Sequence, residues 1–327
     1  MLSLARLRQD YLARIENEFH EGMERSPLAR NSVLRPMIDY HYSSGGKRLR
    51  ALSVLWARAG VAPGVEDAIP FAVAVEMIHN ATLIHDDLQD GDELRRGNPT
   101  LWKKYSAAQA INCGDVLFFE AFRTILGSQL SSELKLQLQE LVVHKTSLVI
   151  EGQAQEFALK ASLAGVGSIP SLHSYETMVM GKTAALFAMP LVGGALIGGA
   201  PKASLAELEA GSMLLGLAFQ IQDDFIDLWG SKGRASRGSD IAEGKLSFPA
   251  FMGMELLPLG DDASRFRKIL ASPREETAGE DVEWAIHLLE SLGIKEKCRI
   301  RLDEVHSELG KLPLWGARLS TLFAEFT

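Results

Sequence analysis

Six aspartates stand in two matching groups, Asp86, Asp87 and Asp90 in HDDLQD and Asp223, Asp224 and Asp227 in QDDFID. Asp86 and Asp90 are four positions apart, as are Asp223 and Asp227, so on a helix each pair shares a face. Each group closes a strongly apolar stretch, residues 70–90 and 211–229. Three carboxylates in the last turn of a helix repel one another and oppose the negative end of the macrodipole, each effect costing about 0.3–1 kcal/mol. A cation offsets this, and Mg²⁺ suits the donors, because it takes an octahedral oxygen shell of one or two carboxylates, waters and phosphate oxygens. A single DDxxD is short enough to be only a solvated helix end. Two copies, each behind a helix that must face the core, require a partner, because a core-directed carboxylate without one is costly.

Cations alternate with these groups along the chain. Around Gly46 the sequence reads SSGGKRLR, a glycine turn that opens a helix with Lys47, Arg48 and Arg50. Flexible glycines, the amides of a helix N-terminus and basic side chains together make an anion cradle. Arg95 and Arg96 follow the first aspartate group, Lys182 sits in GKT, and Lys232, Arg234, Arg237 and Lys245 lie in a polar stretch after the second group. Taken singly, such residues usually solvate helix faces. A P-loop is excluded, since GxxxxGK[ST] needs glycine where Glu176 and His41 stand. His79 lies about two turns before Asp86 on the same element.

The positioning elements read as helices. Apolar residues recur at three-to-four spacing over residues 3–24, 28–41, 47–59, 67–90, 105–128, 131–159, 171–199, 203–229 and 247–256, with more in the last 65 residues. Glycine- and proline-rich breakers separate them, alternating strand patterns are scarce, and no long linker divides the chain, so one helical bundle is expected. A 46% hydrophobic content allows a sizeable core. The net charge of −8 disfavours a nucleic-acid surface. Cys113 and Cys298 are far apart and outside any metal-ligand spacing, which excludes a disulfide scaffold and a zinc site and fits a reducing cytoplasm. The longest apolar run, 184–200, contains Pro190 and several glycines and reads as a buried core helix pair, not a membrane span. The amino terminus reads as an amphipathic helix with no signal-peptide core.

GGKRLR, HDDLQD followed by RRG, GKT, FQIQDDFID and EGK occur in the order and approximate spacing of the trans-isoprenyl diphosphate synthases, the polyprenyl synthetase family, which the chain resembles from about residue 45 to 249. The resemblance implies one all-α polyprenyl synthetase domain over 1–327, a large helical bundle of isoprenoid synthase type around a central cavity, with the two aspartate groups facing across its mouth. It implies Mg²⁺, three per active site with diphosphate bound, and a homodimer. By motif position, Asp86, Asp90 and Asp223 match the principal metal ligands, with Asp227 beside them and Asp87 and Asp224 in support. Lys47, Arg50, His79 and Arg96, with the Gly46 backbone, match an isopentenyl diphosphate site. Arg95, Lys182, Thr183, Gln220 and Lys245 match an allylic diphosphate site, and Lys232 and Arg234 compete for one further lysine position. Asp86, Asp87, Asp90, Lys182, Asp223 and Asp224 form the expected catalytic set. Ala51 departs from the proline common in the family, which loosens a turn but removes no ligand.

The chemistry agrees with the residues themselves. Ionising an allylic diphosphate needs charge stabilisation on the leaving group, supplied by metal and fixed cations. The allylic cation must meet the alkene of isopentenyl diphosphate before water, which calls for a dry cavity and a closing loop over 231–245. Chain length turns on Ala81 and Thr82, four to five positions before Asp86, with Met77 and Ile78 a turn deeper and Ala74 and Val75 beyond. In this family an aromatic at the first of these positions resembles a floor at fifteen carbons. Its absence points to geranylgeranyl diphosphate or longer, with farnesyl diphosphate the alternative, and Phe71, Phe118 and Phe119 are candidate floors. A terpene cyclase would not need GGKRLR and RRG. A non-catalytic subunit of a heteromeric synthase would be expected to lose carboxylates from one group, and a purely structural bundle leaves the aspartates unexplained.

Overall fold

The computed structural model describes residues 2–28, 32–163, 165, 171–230 and 237–326. Apart from a two-stranded hairpin, β1 (Leu94–Arg95) with β2 (Asn98–Pro99), every regular element among them is helical. In chain order the α-helices are α1 (Leu4–Glu24), α2 (Arg35–Ser43), α3 (Leu49–Val61), α4 (Ile69–Gln89), α5 (Leu101–Lys104), α6 (Ala107–Gly127), α7 (Ser132–Leu163) and α8 (Leu172–Val179). They continue with α9 (Ala185–Ile197), α10 (Lys202–Trp229), α11 (Ser239–Ala242), α12 (Phe248–Leu256), α13 (Asp261–Ala271), α14 (Gly279–Ser291), α15 (Ile294–Gly310) and α16 (Gly316–Phe326).

These residues fall into two compact units, Met1–Thr146 with Ala188–Glu209 and Ser147–Phe187 with Ala210–Thr327, and the boundary falls inside α7, α9 and α10. In the first unit α4 is the core helix. Pro70 sits in its first turn, where the missing N–H costs nothing, and its side chains from Ile69 to Ile84 are almost all buried. Its neighbour α6 starts after Ser106, whose hydroxyl accepts the Gln109 N–H at 3.2 Å. The α6 backbone reaches α4 through Gly114, where a Cβ would stand 2.2 Å from His85 Nε2. Likewise Gly193 of α9 lies against the Phe71 ring, where a Cβ would come within 2.1 Å of it.

In the second unit α8 begins with Ser171 and Ser174 capping each other reciprocally. It runs through a π-helical turn, Met180–Ala184, into α9. Two helical runs, Glu66–Gln89 and Leu172–Ile197, are long and apolar enough to cross a membrane, and 78% and 67% of their apolar windows are buried within the protein. The run at 184–200 is therefore core, but as a single helix that carries Pro190 inside it, not the expected pair. The helix expected over 28–41 begins only at Arg35, with Pro36 in its first turn.

Candidate active site

In the first unit Gly46, Lys47, Arg48, Leu49, Arg50, Glu76, His79 and Arg96 line a cavity of about 400 Å³. All five residues expected for the isopentenyl site are in that lining. Their convergence depends on unusual backbone: Gly45 and Gly46 take φ of +94° and +141°, and Arg48 and Arg96 take left-handed values of 49° and 54°. At Gly46 a Cβ would stand 3.0 Å from Arg96 Nη1 and 3.2 Å from Arg48 Nη1, so a side chain there would press on both guanidiniums. Arg96 Nη1 donates to the Gly45 carbonyl. Arg48, one of the three basic residues of the expected anion cradle, is buried; its Nη2 donates to the Tyr42 carbonyl at 2.8 Å, its guanidinium lies 3.8 Å over the Tyr42 ring, and Glu76 Oε1 is 3.6 Å away. Glu76 was missed, because one buried acid in an apolar helix carries no spacing signal.

His79 is neutral here. Burial is the main cause, reinforced by the Arg50, Arg95 and Arg96 guanidiniums and His41, and together they hold its pKa well below the ordinary histidine value. Arg50 Nη1 lies 3.4 Å from His79 Nε2; a guanidinium can only donate, so the imidazole proton belongs on Nδ1. That Nδ1 is buried with no partner in the protein, an open donor for an anionic oxygen. Burial, with the fields of Arg95, Arg96 and Arg48, likewise pushes His41 down to about 3. Both imidazoles become protonated in the unfolded chain below its ordinary pKa of about 6.5 while the folded chain resists. Stability should therefore be full above that value and fall as pH drops below it, by about 1.4 kcal/mol per pH unit for each imidazole. Urea unfolding at pH 7.5, 6.5 and 5.5 measures this slope, and His41→Gln should roughly halve it.

The first carboxylate group ends α4. Asp87 is buried and forked by Arg95, whose Nε lies 2.7 and 2.9 Å from its two oxygens. Asp86 is half-buried and Asp90, the cap residue, is exposed; they occupy successive turns, joined by the Asp90 N–H to the Asp86 carbonyl at 2.8 Å. Of the expected chain-length residues on the same helix, Ile78, Ala81 and Thr82 are all buried, and the Thr82 hydroxyl is used on the His79 carbonyl at 2.8 Å. Among the candidate floors, Phe119 points to solvent at 72% exposure, Phe71 is sealed against Gly193, and Phe118 is half-buried with its ring 5.9 Å from that of His85.

In the second unit Lys182 and Thr183 lie on the π-helical turn, where one residue beyond the α-helical count swings side chains out of register. Glycines let neighbouring backbones clamp that turn: a Cβ on Gly152 of α7 would come within 2.3 Å of the Lys182 N, and one on Gly216 of α10 within 2.4 Å of the Ala184 Cα. The Lys182 ammonium pairs with Glu156 of α7. The Thr183 hydroxyl donates to Gln220 Oε1 at 2.8 Å, and Gln220 Nε2 donates to Asp224 Oδ1 at 2.8 Å. Asp224 Oδ2 accepts from the Tyr175 hydroxyl at 2.8 Å and the Phe248 N–H at 2.7 Å. Burial raises the Asp224 pKa, and those donors oppose the rise.

Asp227, buried one turn after Asp223, is tied into the fold. Its two oxygens accept from the Ser239 hydroxyl and from the Asp240 N–H at 3.1 Å at the start of α11, which makes it an anchor for the segment leading to Lys245. Asp223, one turn earlier on the same helix, is half-buried. Lys245 lies 2.8 Å from Glu243, and Arg237 pairs with Glu283 at 2.6 Å. Lys232 and Arg234 lie outside the described residues, as does the first part of the expected closing loop, 231–236. Among the described residues no three acidic, histidine or cysteine side chains converge as a metal cage. Asp86 with Asp90, and Asp223, instead supply one or two hard oxygen donors at each helix end, a set that fits Mg²⁺ completing its shell with water and phosphate oxygens.

A helical frame with two aspartate-bearing core helices and a cationic pocket with none of those aspartates in its lining belongs to an enzyme that handles diphosphates. The chain is a member of the polyprenyl synthetase family, whose model matches residues 31–289. It is 35% identical over 275 residues to the geranylgeranyl diphosphate synthase of Mycobacterium tuberculosis, covering 83% of this chain and 75% of that protein. It is 33% identical over 250 residues to the farnesyl diphosphate synthase of Bacillus subtilis, covering 74% and 82%. The polyprenyl synthase of Caulobacter crescentus, solved in complex with calcium and isoprenyl diphosphate, superposes with a TM-score of 0.81 at 27% identity over 98% of this chain and 95% of that one. The fold is thus the all-α isoprenoid synthase type and the activity class is prenyl transfer, that of an isoprenyl diphosphate synthase.

Proposed function

We propose that the enzyme condenses isopentenyl diphosphate head to tail with an allylic diphosphate, using magnesium, and releases geranylgeranyl diphosphate. The observation that carries the reading is the cationic cavity, in which Lys47, Arg50 and Arg96 surround a neutral imidazole with an open donor. A pocket of this kind, apart from the aspartates, is needed to hold a second diphosphate that is not ionised. The allylic diphosphate is assigned to Asp86, Asp90 and Asp223 with Arg95, Lys182 and Lys245. Magnesium there, three ions in the full complement, neutralises charge on the leaving diphosphate. The allylic C–O bond breaks, the alkene of isopentenyl diphosphate forms the new C–C bond, and the proton released passes to the departing diphosphate. Thr183 and Gln220 present dipoles to the developing cation, and Asp224 holds Gln220 in place.

The test is direct: supply Mg²⁺, isopentenyl diphosphate and allylic starters of increasing length, and size the dephosphorylated products. No elongation from any starter would refute it. The twenty-carbon product rests on small side chains at Ala81 and Thr82, and Ala81→Phe should shift the main product to fifteen carbons or fewer. An unchanged product distribution would remove Ala81 from the cavity wall.

The chain is proposed to act as one domain and as a homodimer. Leu136, Val143, Ile150 and Phe157 stand at every seventh position of α7 and are exposed, an apolar row suited to a second copy, and Ile111, Phe119 and Leu126 are exposed on α6. Sedimentation reads the oligomeric state. A cytoplasmic setting is in keeping with two buried free thiols, Cys113 and Cys298.

A further inference from the structure

The helix α1 precedes the span matched by the family, yet it touches the cavity loop. Arg8 Nη2 donates to the carbonyl oxygen of Lys47, and Glu16 lies 3.9 Å from Arg48 Nε. Arg8 is not among the cavity-lining residues, so the Lys47 oxygen is drawn toward a group outside the lining. In a trans peptide the carbonyl and the following N–H point in opposite directions. Fixing the Lys47 oxygen on Arg8 therefore turns the Arg48 N–H the other way. Arg48 is the cap residue of α3, and an amide at that position has no acceptor within the helix. Arg48 also holds a left-handed φ of 49°, a conformation that a non-glycine residue keeps only when its surroundings impose it.

We propose that Arg8 is a positioning residue for the diphosphate held in the cavity: its grip on the Lys47 carbonyl keeps an acceptor oxygen away from the anion and the Arg48 amide turned toward it. This deepens the reading of the cavity as the isopentenyl diphosphate site and rests on that reading. Arg8 touches no reacting atom; its effect is on the aim of the loop that follows Gly46.

The test uses the full chain as wild type, Arg8→Met and Arg8→Lys. Inorganic pyrophosphate is titrated by calorimetry with divalent metal removed, so that the cation pocket is read without the aspartate ends. KM for isopentenyl diphosphate and for the allylic substrate is measured in parallel. Arg8→Met should weaken pyrophosphate binding and raise the isopentenyl KM about tenfold, leaving kcat and the allylic KM within about twofold, and Arg8→Lys should recover most of the loss. Unchanged pyrophosphate affinity in Arg8→Met overturns the proposal. So does an equal rise in both KM values with a lowered unfolding midpoint, which would mark a merely structural contact. Arg8-dependent pyrophosphate binding in a wild-type protein that elongates no starter would sink the isopentenyl assignment and leave the positioning role standing.

Discussion

Replacing Asp86 or Asp223 by alanine is expected to lower kcat at least a hundredfold while leaving the chain folded. Each is half-buried beside a fully buried neighbouring aspartate, so its loss disturbs the core less than loss of that neighbour. The adjacent aspartates behave oppositely. Asp224→Ala strips the acceptor from the Tyr175 hydroxyl, the Gln220 amide and the Phe248 N–H at once, and Asp87→Ala strands the Arg95 fork. Each buried donor so abandoned costs about 1–3 kcal/mol. Within one DD pair, then, the first residue should separate activity from stability and the second should lower both. Steady-state rates over a Mg²⁺ series, with unfolding midpoints for the same variants, make the comparison. Near-wild-type turnover in Asp86→Ala or Asp223→Ala would sink the metal assignment.

The second large effect is expected from a residue with no side chain. Gly152→Ala puts a methyl where the Lys182 N already stands, 2.3 Å from the new Cβ, and the obstacle is backbone that cannot rotate aside. The π-helical turn is backed by Gly216 on α10, where a Cβ would come within 2.4 Å of the Ala184 Cα, so it has little room to retreat. Displacing Lys182 and Thr183 by about 1 Å is the kind of misplacement that costs about a hundredfold in rate. The loss should appear in kcat/KM for the allylic substrate, with pyrophosphate affinity of the metal-free protein unchanged. Wild-type allylic kinetics in Gly152→Ala would show that the turn does not position the reacting groups.

The helical frame was largely legible because its signal is periodic and its stops are chemical. The helix read over 203–229 is found at Lys202–Trp229, and that read over 247–256 at Phe248–Leu256. Where pattern and stop disagree the reading slipped: α2 waits for Pro36, and α11, a single turn in a polar stretch, has no apolar stripe to reveal it. The π-helical turn was invisible for a different reason. One inserted residue within a long helical stretch barely changes the 3.6-residue count, so 171–199 reads as one helix. In the site, Lys47, Arg50 and Arg96 were recoverable because they sit in short local motifs, and His79 only through the resemblance and its place on the helix that carries Asp86. Arg8, Glu76, Gly152 and Tyr175 were not, since each acts through a partner distant in sequence: Tyr175 meets Asp224 and Arg8 meets Lys47 only after folding.

The two arginines with left-handed backbone, Arg48 and Arg96, both border the same cavity. Glycine at either position would relax a conformation that costs of the order of 1 kcal/mol in a residue with a Cβ, yet it would delete a guanidinium from the wall. Ranking substitutions by thermal tolerance alone would therefore favour changes that blunt the enzyme at these two points. A hardier variant of this protein is better sought among residues remote from the loop, with arginine kept at 48 and 96.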